Sequence, residues 1–209
     1  CPGGVAVFLT NDKGPMTNDK LVKPWPQEID EWTHYLHDAS NNAVAHDRVV
    51  AAPGRLQWLD RPLWSRSHEY HSSLNAMVSA QGRLFCIFDE GPTGIVDPRI
   101  PDRWKLIARD AFNGTILWQR PIENGHPHQW ALKRGPAQLM RRLVAEGETV
   151  YVTLGVGAPV TALDAATGQT IRTYAGTEGA EEIILCDGVL YLVVNPERDA
   201  YRTIVRDTV

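Results

Sequence analysis

Ala108-Arg-Asp-Ala-Phe-Asn-Gly-Thr-Ile-Leu-Trp118 returns further along the chain as Ala162-Leu-Asp-Ala-Ala-Thr-Gly-Gln-Thr-Ile-Arg172. Ala108, Asp110 and Gly114 of the first copy stand in register with Ala162, Asp164 and Gly168 of the second. Each copy reads as a short strand ending at Asp, a turn carrying Gly and a second strand, the pattern of a tight hairpin. The aspartates can accept hydrogen bonds from backbone N–H groups two or three residues on, and the glycines can take the positive φ that the turn requires. A hairpin of this size buries little by itself and calls for copies stacked beside it.

Upstream of each copy lies a second repeated pattern. Val78-Ser-Ala-Gln-Gly-Arg-Leu-Phe-Cys-Ile, Val144-Ala-Glu-Gly-Glu-Thr-Val-Tyr-Val-Thr and Leu185-Cys-Asp-Gly-Val-Leu-Tyr-Leu-Val-Val all read as strand, Gly-containing turn, strand. Phe85, Tyr151 and Tyr191 align if the second copy carries one extra turn residue. The third copy runs to Val205-Arg-Asp-Thr-Val209, where Asp207 takes the place of Asp110, so the chain is expected to break off within a repeat. Tyr151 and Tyr191 are 40 residues apart and Asp164 and Asp207 are 43 apart, the length of a four-stranded propeller blade. The 66 residues from Phe85 to Tyr151 leave room for insertions at 90–103 and 122–139. These hold prolines and little periodicity and read as loops, where a rigid scaffold carries its function. Leu56-Gln-Trp58 before Asp60-Arg-Pro62 parallels Leu117-Trp118 before Arg120-Pro121, which makes Trp58 the close of an earlier, degenerate repeat. The fold expected is all-β: a partial β-propeller of four-stranded antiparallel blades over residues 26–209, with three to four blades and an incomplete ring.

Composition agrees with a globular β-chain. Of 209 residues, 43% are hydrophobic and 22% charged, and the 17 glycines and 14 prolines are dispersed between short apolar runs as turn punctuation. The net charge of −4 has no long block of one sign behind it, which argues against a nucleic-acid groove or a polybasic membrane patch. The longest apolar runs, such as 189–194, are of strand length and far short of a bilayer span. The first residues lack the basic region, apolar core and cleavage site of a signal peptide. The cysteines, Cys1, Cys86 and Cys186, show no CxxC spacing. Cys86 and Cys186 read as small buried hydrophobes, with Cys186 in the place that Ala80 and Ala145 take in the other copies.

Residues 1–25 fall outside the repeat. Cys1-Pro-Gly-Gly-Val-Ala-Val-Phe-Leu9 is a turn followed by an apolar strand, and 11–19 is rich in turn formers. This stretch resembles the Pro-Gly-Gly turn and strand late in class I S-adenosylmethionine-dependent methyltransferases. That likeness implies a short α/β-type stub of an upstream domain; an ordinary edge strand fits the residues as well. Lys23-Pro-Trp-Pro26 reads as an extended linker, and 28–37 leaves helix and extended chain both open.

The Ala-x-Asp-x-x-Thr/Asn-Gly-x-x-x-Trp pattern, preceded by a Gly-turn strand pair, resembles the repeat of pyrroloquinoline-quinone-like β-propellers. Glu31-Trp-Thr-His-Tyr-Leu-His-Asp38 is similar to the opening of the propeller in a bacterial group that carries a methyltransferase-like segment ahead of it. The resemblance implies that Trp118 docks between neighbouring blades and that Arg172 replaces it in the next copy. It also implies a bacterial protein of the cell envelope or periplasm. Enzymes of the superfamily hold pyrroloquinoline quinone with calcium, an acidic base and often two adjacent half-cystines. Adjacent cysteines do not occur in this sequence, and no carboxylate aligns with the base, so the fold does not bring the activity with it.

Histidines offer the clearest chemistry. His34 and His37 precede Asp38, and His68 and His71 form a second pair, with His46 between and His126 and His128 later. Imidazoles near carboxylates suit a transition metal such as zinc, copper or iron, although the spacings match no specific motif. The ordinary alternative is histidines bonded to backbone carbonyls and carboxylates. Asp38, Asn41, Asn42 and Asp47 can be read as calcium ligands or as an Asx-stabilised turn. Arg66, Arg141 and Arg142 suit an anionic ligand or inter-blade salt bridges. Trp25, Trp32, Trp64 and Trp130 suit a ligand surface or plugs between blades. The expected function is a non-catalytic β-propeller scaffold that binds a protein or small-molecule ligand on its face, with association through open blade edges. The alternatives are part of a quinone-dependent oxidoreductase, with pyrroloquinoline quinone and calcium as cofactors, and the propeller of a methyltransferase fusion.

Overall fold

A computed structural model describes residues 5–8, 19–24, 26–49, 54–60, 73–93, 99–123, 125 and 137–195. It divides into two compact units, one of residues 1–30 with 46–55 and one of residues 31–45 with 56–209. In the first unit β1 (Val5–Phe8) pairs antiparallel with β2 (Asp19–Val22), and the Asp47 carboxylate accepts the Asp30 N–H at 3.1 Å.

The second unit is built of antiparallel sheets. Sheet 1 is the meander β3 (Leu74–Ala80), β4 (Arg83–Asp89), β5 (Trp104–Asp110) and β6 (Ile116–Pro121). Sheet 2 repeats it as β7 (Leu143–Glu146), β8 (Thr149–Thr153), β9 (Val160–Asp164) and β10 (Thr170–Thr173). A third hairpin joins β11 (Ala180–Cys186) to β12 (Val189–Val194). The described residues hold no α-helix, and a 3₁₀ turn over Ala137–Arg142 leads into β7. The described residues are therefore all-β with four-stranded antiparallel sheets, and no helix among them is long and apolar enough to cross a membrane.

The strands form where β-branched and aromatic residues alternate, and the alternation sends successive side chains to opposite faces. In sheet 2 this buries both faces. Leu143, Ala145, Val150, Val152 and Leu163 join Val78, Phe85, Leu106 and Ala108 of sheet 1 in one core, whereas Val144 and Val160 pack with Ile183 and Leu185 of the third hairpin. The residues between them in sequence thus face different neighbours, which is how a stack of similar sheets is held by one short repeat.

The hairpins at Asp110 and Asp164 have the turn expected of them. Asp110 Oδ1 accepts the N–H groups of Phe112 and Asn113 at 2.8 and 3.0 Å, and Asp164 Oδ1 accepts those of Ala166 and Thr167 at 3.1 and 2.8 Å. Gly114 and Gly168 have φ of +76° and +72°. The Thr167 hydroxyl adds a further bond at 2.7 Å, and these bonds hold the Asp164 carboxyl below its ordinary pKa.

Several expectations need correction. The second copy has no extra turn residue: Ala80 faces Arg83, Glu146 faces Thr149 and Cys186 faces Val189, so all three turns have two residues. What differs is the place of glycine. Gln81-Gly82 and Asp187-Gly188 have positive φ at both positions, the demand of a type I′ turn, while in Gly147-Glu148 only Gly147 is left-handed, as in type II′. Counted from the turns, Cys186 is equivalent to Ala80 and Glu146, and it is exposed rather than buried; Cys86 is buried. Of the two conformations left open for 28–37, the helix is not formed, and the segment holds turns and an isolated His34–His37 bridge; 54–60, around Trp58, form no strand.

Candidate functional site

Two places in the sheet unit gather polar groups. The first is the edge of the sheets, where each first strand β3, β7 and β11 presents backbone groups with no other strand beside them among the described residues. Buried N–H groups of this kind need acceptors. Consecutive residues of one segment provide them. Trp32 O accepts the Ser79 N–H at 2.7 Å, Thr33 O accepts that of Ala145 at 3.0 Å, and His34 Nε2 accepts that of Leu185 at 3.0 Å. Ser79, Ala145 and Leu185 each stand two residues before their turn, so they are equivalent positions of three successive repeats. The Glu31 carboxylate extends the series by accepting the Gln81 N–H at 2.7 Å, and the Ser79 hydroxyl accepts the Trp32 N–H at 3.0 Å.

The segment is shaped by a tight turn in which the His34 N–H donates to His37 O at 3.1 Å. His37 takes a φ of +75°, a left-handed conformation that a non-glycine residue adopts only when its surroundings require it. An N–H can only donate, so the Leu185 bond requires a lone pair on His34 Nε2 and places the ring proton on Nδ1. Nδ1 lies 2.7 Å from Thr33 Oγ1, which donates in turn to His37 O at 3.2 Å. Burial holds the His34 pKa below its ordinary value, against the opposing pull of the Asp38 carboxylate. In this arrangement His34 acts as a neutral hydrogen-bond acceptor with both nitrogens engaged.

The other residues singled out above take varied places. His37 Nδ1 lies 3.3 Å from Asp38 Oδ2, and the His37 ring meets Trp32 edge-on at 5.3 Å. Asp38 Oδ1 accepts the Ser40 N–H at 2.8 Å and Asn41 has a φ of +58°, the local bonding of an Asx turn. Asp47 belongs to the N-terminal unit. Arg141 pairs with Glu182 of β11 and its guanidinium lies 5.8 Å over the Tyr35 ring. His68, His71, His126, His128, Arg66, Trp25, Trp64, Trp130 and Asp207 lie outside the described residues. Cys86 shows no sign of reactivity, since burial pushes its thiol up to about 11.

The second place is a small cleft at the end of the sheets away from the Asp turns, lined from sheet 1 by Asn75, Ile87 and Trp104 and from sheet 2 by Thr153, Gly155 and Val156. Ile122, Gly125 and Leu139 of the second insertion complete the wall with Arg142, which stands at the end of the 3₁₀ turn. Arg142 is only 4% exposed, and its Nη1 donates to Val156 O at 3.1 Å. The wall is closely built. A Cβ on Gly125 would lie 2.4 Å from Trp104 Cδ1, and one on Gly155 would lie 2.5 Å from Glu123 O. Opposite substitutions therefore force backbone or indole to move. At the neck of the first insertion, buried Asp89 accepts the N–H groups of Gly91 and Arg103 at 2.9 and 2.8 Å.

No local pattern marks Glu31, Trp32 and Thr33 as a shared acceptor, or Asn75, Trp104 and Thr153 as a cleft. The signal for the first was the turn register, which identifies the edge positions; for the second it was the placement of two glycines next to the insertions. No protein-family model matches the chain, and no curated protein matches it.

Proposed function

We propose that the chain is a propeller-type β-repeat scaffold of the pyrroloquinoline-quinone-like kind, and that it binds a small ligand in the cleft between its first two complete sheets rather than catalysing a reaction. The observation that carries the architecture is the convergence of three equivalent N–H groups, from Ser79, Ala145 and Leu185, on consecutive residues of one segment. Sheets that each turn the same edge toward one short stretch of chain support an arrangement of blades around an axis. Ligand binding is supported by the cleft, which combines apolar walls with a few polar groups on rigid strands.

A ligand-observed NMR screen of small organic fragments tests the binding function. Hits are expected on the wild-type protein and are expected to be lost in Val156→Phe, where the larger side chain fills the cleft. A screen without hits, or hits that V156F leaves intact, would overturn it.

A further inference from the structure

Strands β6, β10 and β12 each end their sheet, and β12 differs from the other two. β6 carries Arg120 and Pro121 and β10 carries Arg172, the charges and proline with which natural edge strands discourage pairing. β12, Val189-Leu-Tyr-Leu-Val-Val194, has no charge, no proline and no glycine, and among the described residues only β11 lies beside it. Its counterparts β4 and β8 are each joined by a third strand, β5 and β9. The side chains register the difference. Counted from the turns, Tyr191 is the equivalent of Phe85 and Tyr151. Phe85 is fully buried and Tyr151 packs into the cluster around Val144 and Ile183, whereas Tyr191 is 58% exposed, with Val189 and Val193 on the same face at 50% and 52%.

The register of the hairpin fixes what the open edge offers. Cys186 and Val189 flank a two-residue turn and so form a hydrogen-bonded pair, and the alternation of an antiparallel ladder commits the backbone groups of Val189, Tyr191 and Val193 to β11. The Asn195 N–H continues the series by donating to Gly179 O at 3.0 Å. Leu190, Leu192 and Val194 therefore turn their N–H and C=O groups outward. We propose that this edge pairs with the same edge of a second copy of the chain, antiparallel about a two-fold axis at Leu192. Leu192 then stands opposite its own counterpart and Leu190 opposite Val194 of the second copy, closing roughly six backbone hydrogen bonds. Between them Tyr191 stands opposite Val193, an aromatic and β-branched pair that the symmetry makes twice. The joined hairpins form a sheet in the order β11-β12-β12-β11, which has the four strands of sheets 1 and 2. An unrelated strand would gain the hydrogen bonds without this matched pair of side-chain contacts.

Sedimentation velocity on the whole chain tests the contact. The average mass is expected to rise from that of one chain toward that of two between about 1 and 100 µM, because two short strands make a contact at the small end of specific interfaces. Tyr191→Lys combined with Val193→Lys sets lysine opposite lysine at both pairs and should hold the protein monomeric over this range, as should Tyr191→Glu combined with Val193→Glu. Both positions are exposed, so the fold is expected to be kept. An equal mixture of the two double variants sets lysine against glutamate at each pair and should recover the dimer, a result that misfolding of either variant could not produce. A wild-type chain that stays monomeric would overturn the proposal and leave the edge to a segment of its own chain or to another protein. Open-ended assemblies would overturn it too, since a two-fold contact closes at two copies. A dimer retained by the double lysine variant, or a mixture that remains monomeric, would do the same.

Discussion

Sheet 1 leaves through Trp118 and sheet 2 through Arg172, and the two corners show what a single aromatic residue does in a repeat. The Trp118 indole covers Gly168 of the following sheet so closely that a Cβ there would lie 2.6 Å from the ring, and its Nε1 donates to Ala165 O at 2.9 Å. Trp58 makes the same two contacts one repeat earlier, over Gly114 and to Ala111 O at 3.1 Å. Arg172 instead is exposed and sets its guanidinium 4.9 Å over the ring of Tyr174, which follows the end of its own strand. The indole therefore ties one sheet to the turn of the next, while the arginine covers an aromatic of its own sheet.

The two well-docked corners also differ in a way that shows what is fixed and what is free. Arg120 Nη1 reaches forward from sheet 1 to Gly168 O at 2.7 Å, whereas Gly114 O is reached at 2.9 Å by Arg109 of its own sheet, which is paired with Asp60 from the preceding segment. In both cases the glycine carbonyl receives a guanidinium. Only the side of the junction that supplies it changes.

Trp118→Ala should give the largest effect on this comparison. It empties the space beside Phe85, whose ring centroid is 6.0 Å away, and leaves Ala165 O without the indole donor. The half-buried site puts the cost at about 3 kcal/mol, read as a shift of the urea midpoint with unchanged slope. A loss as small as that of an exposed residue would mean that the indole does not join the sheets.

Gly168→Ala comes next. Both a left-handed backbone and the overlying indole oppose a methyl group, at about 2–3 kcal/mol together. Gly188 is the matched control, with a φ of +73° and nothing within 4 Å of its would-be Cβ, so G188A should carry the backbone cost alone, about 1 kcal/mol. Equal losses at the two glycines would show that the close approach of Trp118 carries no energy.

The first-strand edge gives a smaller, pH-dependent effect. The folded pKa of His34 is lowered, chiefly by burial, so the unfolded chain takes up the proton first as the pH falls. This stabilisation is fully present above the ordinary histidine value of about 6.5 and is lost as the pH falls through the lowered folded value. Melting curves across this range should show a steeper acid-side decline for the wild type than for His34→Gln, which offers the Leu185 N–H an acceptor that does not titrate. Parallel declines would remove His34 from the linkage. Arg172→Ala, the counterpart of the tryptophan change, should fall within about 0.5 kcal/mol, as exposed substitutions do.

Much of the fold was legible in local sequence. Asp110-to-Gly114 and Asp164-to-Gly168 announce their turns because the bonds involved span two or three residues, and the spacing of the copies announces four strands per unit. The equal length of the three strand-pair turns is not legible from glycine alone, because glycine satisfies the first place of a type II′ turn as readily as the second of type I′. The same shift sets Cys186 level with Glu146 rather than with buried Ala145, and it is exposed.

The candidate sites were less legible. Arg142 stood out as a charged residue, but its burial depends on the packing of the 3₁₀ turn against two sheets. His34 and His37 stood out as a pair near Asp38, and the sequence offered metal binding and hydrogen bonding alike. The acceptor role of His34 rests on a bond to Leu185, 151 residues away, which no local pattern can announce.

The sequence by itself determined the strand order within each sheet and the Asp-Gly turns, since these follow from propensity, alternation and short-range hydrogen bonds, while the docking tryptophan was marked by the resemblance of its repeat. Only the tertiary structure decided that residues 31–34 cap three equivalent edges and that Arg142 stands in an apolar cleft. Both depend on backbone groups and side chains brought together from distant parts of the chain, where the cost of leaving a buried N–H or charge unsatisfied selects the partner.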